Sequence, residues 1–432
     1  MKKFRTGILL LMVVLMVMPV ALFAQGSKDQ ASAKSNMRLA WWGNPTRDAK
    51  TYSAIEAYTA KNPNVTIEPE TTGWAGYWDK MNTQAAAGNL PDLMQHDYAY
   101  MLQWISRGQI KDLTSYVSSG VIDLSKVADS NLSSGRVNGK LYGISLGSNA
   151  VCLIYDPAVL AKAGIAKPDD TTWTWADFER ISLEVYKKTG VQTLPLFTTD
   201  PKVGFDNMVR QTGKPFFAPD GKSLGFTDSS SLKEYFALQL RLLEAGALVN
   251  PESAFVTVSP EEGDFAKGTS WVQYVWSNQV VSEQAAAGRP VEIALLPNIA
   301  NPAQKGTFLK PSMFFAIPAN AENPDEAARF LNYFLNDIEL NNTVLLGERG
   351  VPIPDDVRAS MAEVVDPINK QIFNFISKAA EHSSAIDPPD PAPAGEVLKL
   401  FRDVTQEILT KKVTLDAGVT KLMTQANAVL AR

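Results

Sequence analysis

The 432-residue chain has one cysteine and two histidines. One thiol rules out an intramolecular disulfide, and there is no Cys/His cluster to suggest zinc. His96 and His382 leave Ser-His-Asp catalysis little to work with. No Gly-rich phosphate loop of the P-loop or dinucleotide type occurs, so no cofactor is expected. Positive charge is also scarce: 41 Lys and Arg stand against 46 Asp and Glu. That balance argues against nucleic-acid binding, which needs clustered cations. Beyond residue 24 no segment is long and apolar enough to cross a membrane. Carboxylates are plentiful, but no spacing singles out a catalytic pair.

The first 24 residues form a segment of their own. Lys2, Lys3 and Arg5 precede an uncharged run from Gly7 to Ala24, the outline of a secretory signal peptide. Leu22 is large for the third position before a cut at Ala24. An uncleaved anchor is the competing reading, since about 18 apolar residues can just span a bilayer. No cysteine follows the run, so lipid attachment there is not expected. Without the three leader cations the formal charge moves from −5 to −8. Cys152, in Val151-Cys152-Leu153-Ile154, reads as a core residue.

Residues 25–36 read as a flexible linker. Strand and helix signals then alternate: strand 37–42, a helix over 49–61 stopped by Asn62-Pro63, strand 65–69, a helix over 77–87, strand 90–94. This alternation predicts an α/β fold with helices on both faces of a mostly parallel sheet. Near Ser145–Ala150 the pattern changes, as if the chain crosses into a second α/β region. Met313–Pro318 reads as a strand returning to the first. Asn323-Pro324-Asp325-Glu326 starts an amphipathic helix. The expected units are a first lobe of 37–145 with about 300–345, and a second of 146–299 with about 346–432.

Aromatic and amide groups gather at strand ends, where open α/β sheets place ligands. Trp41-Trp42-Gly43-Asn44-Pro45-Thr46-Arg47 ends the first strand. Trp74, Tyr77 and Trp78 open a helix; His96, Asp97, Tyr98 and Tyr100 follow the third strand. Asn149 lies at the crossing, and Tyr274, Trp276 and Asn278 share one stretch. Sugar rings stack on aromatic faces, and their hydroxyls need planar donors and acceptors. Alternation along the strand makes Trp41 core and Trp42 the ligand face. Trp78 reads as helix packing, Trp173 and Trp175 as a staple at a helix start, and Asp92 as a structural turn residue. Asp97 is the expected ligand carboxylate. Arg47, Lys310 and Arg349 offer contacts to a carboxylate; Arg349 reads equally as a pair across the lobes.

The ordered run of motifs resembles the extracellular sugar-binding proteins of ABC importers, the branch that includes maltodextrin-binding proteins. It comprises Trp42-Gly43, Asn62-Pro63-Asn64-Val65, Ala85–Leu93, Gly108–Leu113, Gly139–Ile144, Leu153-Ile154-Tyr155-Asp156, Thr172-Trp173, Trp276-Ser277-Asn278, Ala316-Ile317-Pro318 and Arg349-Gly350-Val351-Pro352. Trp41–Gly43, Gly73-Trp74, Tyr77-Trp78, Pro91–Gln95, Leu146–Asn149 and Leu309–Met313 look closest to a subgroup handling pectin-derived oligosaccharides. The resemblance implies a two-lobed periplasmic-binding-protein fold of class II type, each lobe a mostly parallel sheet flanked by helices. It also implies a sugar or oligosaccharide ligand in the cleft, contacts at Trp42, Asp97, Asn149 and Trp276, and delivery to a permease from the periplasm by a monomer. Asn44, Arg47, Trp74, Tyr98, Tyr274, Lys310 and Arg349 complete the expected site. For a uronate the candidate cations are Arg47, Lys310 and His96. A secreted carbohydrate-active enzyme and a sugar sensor for a membrane receptor are the competing readings.

Overall fold

The computed structural model describes residues 34–43, 45–196, 202–256 and 259–432. The expected signal peptide, most of the linker and the candidate residue Asn44 lie outside the described residues. The strands are β1 (Ser35–Trp42), β2 (Val65–Thr72), β3 (Leu93–His96), β4 (Arg136–Val137), β5 (Lys140–Leu141), β6 (Ile144–Ser145), β7 (Ser148–Asn149), β8 (Val151–Tyr155), β9 (Val272–Trp276), β10 (Glu292–Ala294), β11 (Lys310–Pro311) and β12 (Phe314–Ala316). β1 starts two residues before the apolar pattern does, because Ser35 and Asn36 pair with Val65 and Thr66 and the Asn36 side-chain amide donates to Glu68 Oε1 at 3.1 Å.

The protein has two lobes. The first holds a five-stranded sheet in the order β2-β1-β3-β12-β6, and the second a three-stranded sheet in the order β10-β8-β9. One apolar core draws on residues 37–146 and 313–353; two others draw on 150–295, 309, 351–379 and 394–430. In the first lobe, helix Pro45–Lys61 buries Ala54, Ile55 and Tyr58, and helix Pro324–Asn336 buries Phe330, Leu331 and Phe334. Asp92 clamps this sheet: its carboxylate accepts from the backbone N–H of Arg38 at 2.8 Å and of Asn323 at 2.7 Å. Cys152 is fully buried in the second lobe, and burial pushes its thiol pKa up.

The first-lobe sheet is mostly parallel, as expected, and in each lobe a single strand opposes the rest for a topological reason. β1, β2 and β3 are parallel, but β12 runs against β3 and β6, and β8 runs against both β9 and β10. β8 and β12 are the strands by which the chain enters each lobe from the crossing. A strand that enters at the end where the others finish must run opposite to them. Hence Phe314 pairs with both His96 and Ser145, and Val151 pairs with Trp276.

Three segments cross between the lobes, near residues 146–150, 309–313 and 346–352, and they are hydrogen-bonded into one ribbon. Leu146 N–H donates to Met313 at 2.9 Å, Ser312 N–H to Gly147 at 2.9 Å, and Ser148 N–H to Val351 at 2.8 Å. Gly147 is packed backbone against backbone. A Cβ there would sit 2.3 Å from the Arg349 carbonyl oxygen and 2.8 Å from the Gly350 carbonyl carbon. Gly350 itself has φ of +96°, a conformation that excludes most side chains. Among the described residues no helix is long and apolar enough to cross a membrane.

Gly147→Ala should therefore force the ribbon apart and destabilise the fold by about 1–3 kcal/mol, the usual cost of overpacking. Thermal denaturation checks it; a variant that melts with the wild type would mean that the third segment yields freely.

Candidate functional site

The first-lobe wall is built where β1, β2 and β3 end and helices Pro45–Lys61, Trp74–Ala86 and Tyr98–Ser106 begin. Both tryptophans of β1 are buried, because helices cover both faces of the sheet. Trp41 donates its indole N–H to Asp48 at 2.7 Å. That carboxylate fills the place where a Cβ of residue 43 would lie, which is why glycine follows the pair. Trp42, expected at the ligand, is only 8% exposed and packs edge-on against Trp74 at 5.0 Å and Tyr77 at 5.2 Å. Trp74 is the open ring, 47% exposed, at the top of a cluster with Trp78, Tyr100, His96 and Trp104. Edge-on contacts of this kind add about 0.5–1.5 kcal/mol each to burial. Trp42 is thus the support of the platform, and Trp74 its surface.

Several polar candidates are already engaged. Arg349 is 4% exposed; its guanidinium donates to Gln95 Oε1 at 3.0 Å and Thr51 Oγ1 at 2.9 Å and lies over Phe334. It is directed into the first-lobe core, so the cross-lobe structural reading replaces the ligand reading. Arg47 donates to Glu348 at 2.8 Å and to the Trp42 carbonyl at 3.2 Å, so it carries a counter-ion of its own. Asp97 caps helix Tyr98–Ser106, its Oδ1 accepting from Ala99 N–H at 2.8 Å. Tyr98 donates its hydroxyl to the Asp387 carbonyl at 2.7 Å, a contact to the second lobe rather than to open solvent. His96 is fully buried between Trp78 and Trp104. Its Nδ1 lies 3.1 Å from the Asp97 carbonyl, which places the proton on Nδ1 and leaves Nε2 without a partner. Burial pushes its pKa down to about 4, so it is no cation at neutral pH.

The second-lobe wall forms where β9 ends. Trp276 is half-buried, with Phe308 edge-on at 6.2 Å and the Lys310 ammonium 4.9 Å above its ring. Lys310 is exposed and pairs across the β7–β11 ribbon with Asn149. Asn149 Oδ1 accepts from Ser277 Oγ at 3.4 Å. The crossing brings Lys310 and Asn149 to Trp276, Phe308 and Ser277. Tyr274 lies on the same face of β9 as Trp276 and packs into the lobe, its hydroxyl buried and without a partner. Burial raises its pKa well above the ordinary value. Phe308 and, behind it, Arg210 are members of this wall that the sequence did not single out. Both sit outside any strand-end motif, and only tertiary packing joins them to Trp276.

Gly221-Lys222-Ser223-Leu224-Gly225 has the Gly-x-Ser-x-Gly spacing that carries a nucleophile in hydrolases. Here it lies on a hairpin, with Phe217 paired to Leu224, and Ser223 donates its hydroxyl to the Leu224 carbonyl at 3.1 Å. A nucleophile elbow needs a sharp turn from strand to helix, and this segment is not one. Among the described residues no group of three or more His, Cys, Asp or Glu is placed to hold a metal.

A family model described as bacterial extracellular solute-binding protein matches residues 53–369. The lactose-binding protein of Rhizobium radiobacter is 28% identical over 312 residues, 69% of this chain and 69% of that one. The arabinooligosaccharide-binding protein of Bacillus subtilis is 26% identical over 224 residues, half of each chain. A solved extracellular solute-binding protein of family 1 from Alicyclobacillus acidocaldarius superposes with a TM-score of 0.86 at 28% identity, covering 93% of this chain and all of that one.

The buried His96 sets an acid sensitivity. The unfolded chain takes up the proton near pH 6.5, the folded one only near 4. Stability is therefore full above about 6.5 and falls as pH drops toward 4, by on the order of 3 kcal/mol from this group. In urea titrations across that window, His96→Gln should show a flatter pH dependence than the wild type. Parallel curves would mean that His96 is not the group responsible.

Proposed function

The chain belongs to the bacterial extracellular solute-binding proteins, and on that premise we propose that it captures a sugar or oligosaccharide between its lobes and hands it to the permease of an ABC importer. The observation that carries this reading is a pair of aromatic platforms on either side of the crossing, Trp74 in the first lobe and Trp276 in the second. Apolar ring faces of a saccharide suit such platforms, and Asn149 and Lys310 beside Trp276 suit its polar edge. Two relatives bear the names lactose-binding and arabinooligosaccharide-binding. A ligand that touches both walls favours the closed arrangement by differential contact. The moving bodies divide at the crossings, and residues 300–308, bonded through Ala303 to Gln211 and through Thr307 to Ser384, travel with the second lobe. The protein acts as a monomer in the periplasm, reached through its leader, and returns its ligand chemically unchanged.

A thermal-shift screen against neutral and acidic oligosaccharides tests the reading, since a ligand of the folded state alone raises the melting temperature. A sugar that stabilises the protein should be recovered intact after incubation; newly formed reducing ends would identify an enzyme instead. With that sugar, Trp276→Ala should lower affinity tenfold or more, in line with about 1.5–3 kcal/mol for a buried aromatic side chain. Unchanged affinity by calorimetry would remove Trp276 from the site.

For a uronate-bearing ligand, Lys310 is the candidate cation that remains, because Arg47 and Arg349 have partners and His96 is neutral. A charge-assisted bond is worth about 1.5–3 kcal/mol. Lys310→Met should then weaken a galacturonide about tenfold more than a neutral sugar of the same length. Equal losses for both would show that Lys310 does not read the carboxylate.

A further inference from the structure

Arg210 is a charged side chain buried to 1% exposure, in a helix that no ligand motif includes. Its guanidinium is held from several sides. Nε donates to the Gly306 carbonyl at 3.0 Å; Nη2 donates to Ser384 Oγ at 2.8 Å and the Ala385 carbonyl at 2.7 Å. Nη1 lies 2.5 Å from the Asp387 carboxylate, and the guanidinium plane sits 5.0 Å from the Phe308 ring centre. Burying a cation this deeply is costly unless every donor is matched, and removing one partner typically destabilises strongly. Such a site holds its neighbours in one arrangement.

Those neighbours lead in two directions. Phe308 stands edge-on to Trp276, the second-lobe platform. Asp387 presents its backbone carbonyl to the hydroxyl of Tyr98, which belongs to the first lobe. The Tyr98–Asp387 bond therefore adds a link between the lobes beside the crossing, where the Tyr98 ring also lies 6.4 Å from that of Phe314, through a loop stiffened by Pro388, Pro389 and Pro391. Tyr98 has a buried hydroxyl whose pKa is raised mainly by that burial, so the donor stays protonated at any physiological pH.

We propose that Arg210 is a positioning residue that couples the Trp276 platform to an interlobe latch, and that Tyr98 and the Asp387 carbonyl are the two halves of that latch. A displacement of Trp276 is passed through Phe308 to the guanidinium, and from there to the loop that receives Tyr98. The latch makes the near-closed arrangement accessible without ligand, and the contact with Phe308 biases it from the platform side. The coupling is a chain of direct contacts, each with a distance, and needs no motion of the lobe cores.

Three variants of the full mature chain test this without any saccharide, so the outcome is independent of what the cleft binds. Tyr98→Phe removes one hydrogen bond; Asp387→Asn weakens the ion pair; Arg210→Lys keeps charge but cannot span the same acceptors. Small-angle scattering should show a larger radius of gyration for all three. With 5-fluorotryptophan incorporated, the Trp276 resonance, identified by its loss in Trp276→Phe, should shift in all three variants, because a coupling between platform and latch acts in both directions. An unchanged radius in Tyr98→Phe would overturn the latch. An unshifted Trp276 resonance in Asp387→Asn, the mildest change to the ion pair and one that does not touch Trp276, would overturn the coupling even if Arg210→Lys failed to fold.

Discussion

Three chain segments pass between the lobes so closely that one of them has no room for a methyl group. Gly147 lies against the Arg349 carbonyl and the Gly350 backbone, and the ribbon formed there sets where everything else can be. It fixes Lys310 opposite Asn149, and so fixes the ammonium above Trp276. It also explains Arg349. The third crossing segment needs an anchor on the first lobe, and the guanidinium of Arg349, bound to Gln95 and Thr51, is that anchor.

The first-lobe wall follows a different logic. Its aromatic rings are stacked in depth, with Trp104 and His96 beneath, Trp78 and Trp42 above them, and Trp74 outermost. Only the last presents a face. The buried rings hold Trp74 in orientation through edge-on contacts, so a sugar stacking there would meet a surface that is already ordered and would bear little of the entropy cost of ordering it.

Much of the architecture could be read from spacing. The β1 and β2 pattern, the stop at Asn62-Pro63, the return strand near 313 and the helix after Asn323 follow from apolar periodicity and cap chemistry, which are local. Strand direction in the second lobe could not be read this way, because it depends on which end of the sheet the chain enters. The site was legible as a set of strand ends, less so as a set of side chains. Alternation assigns Trp41 and Trp42 to opposite faces, which is correct, but says nothing of helices covering both. A carboxylate after a strand reads alike whether it meets a ligand or, like Asp97, caps a helix. Arg47 and Tyr98 are engaged by Glu348 and Asp387, residues 301 and 289 positions away. Arg210 and Phe308 carry no local signature at all, since their importance comes from a contact between a helix and a distant loop.

Cys152 sits at the start of the strand that opens the second lobe, fully enclosed, with its thiol held protonated by burial. A buried, protonated thiol is a poor nucleophile and is out of reach of labelling reagents. The molecule is therefore chemically silent toward maleimides in its native state. Any cysteine introduced on a lobe surface becomes its sole addressable thiol, and a pair of them, one per lobe, would report the separation of the lobes with the native residue left in place.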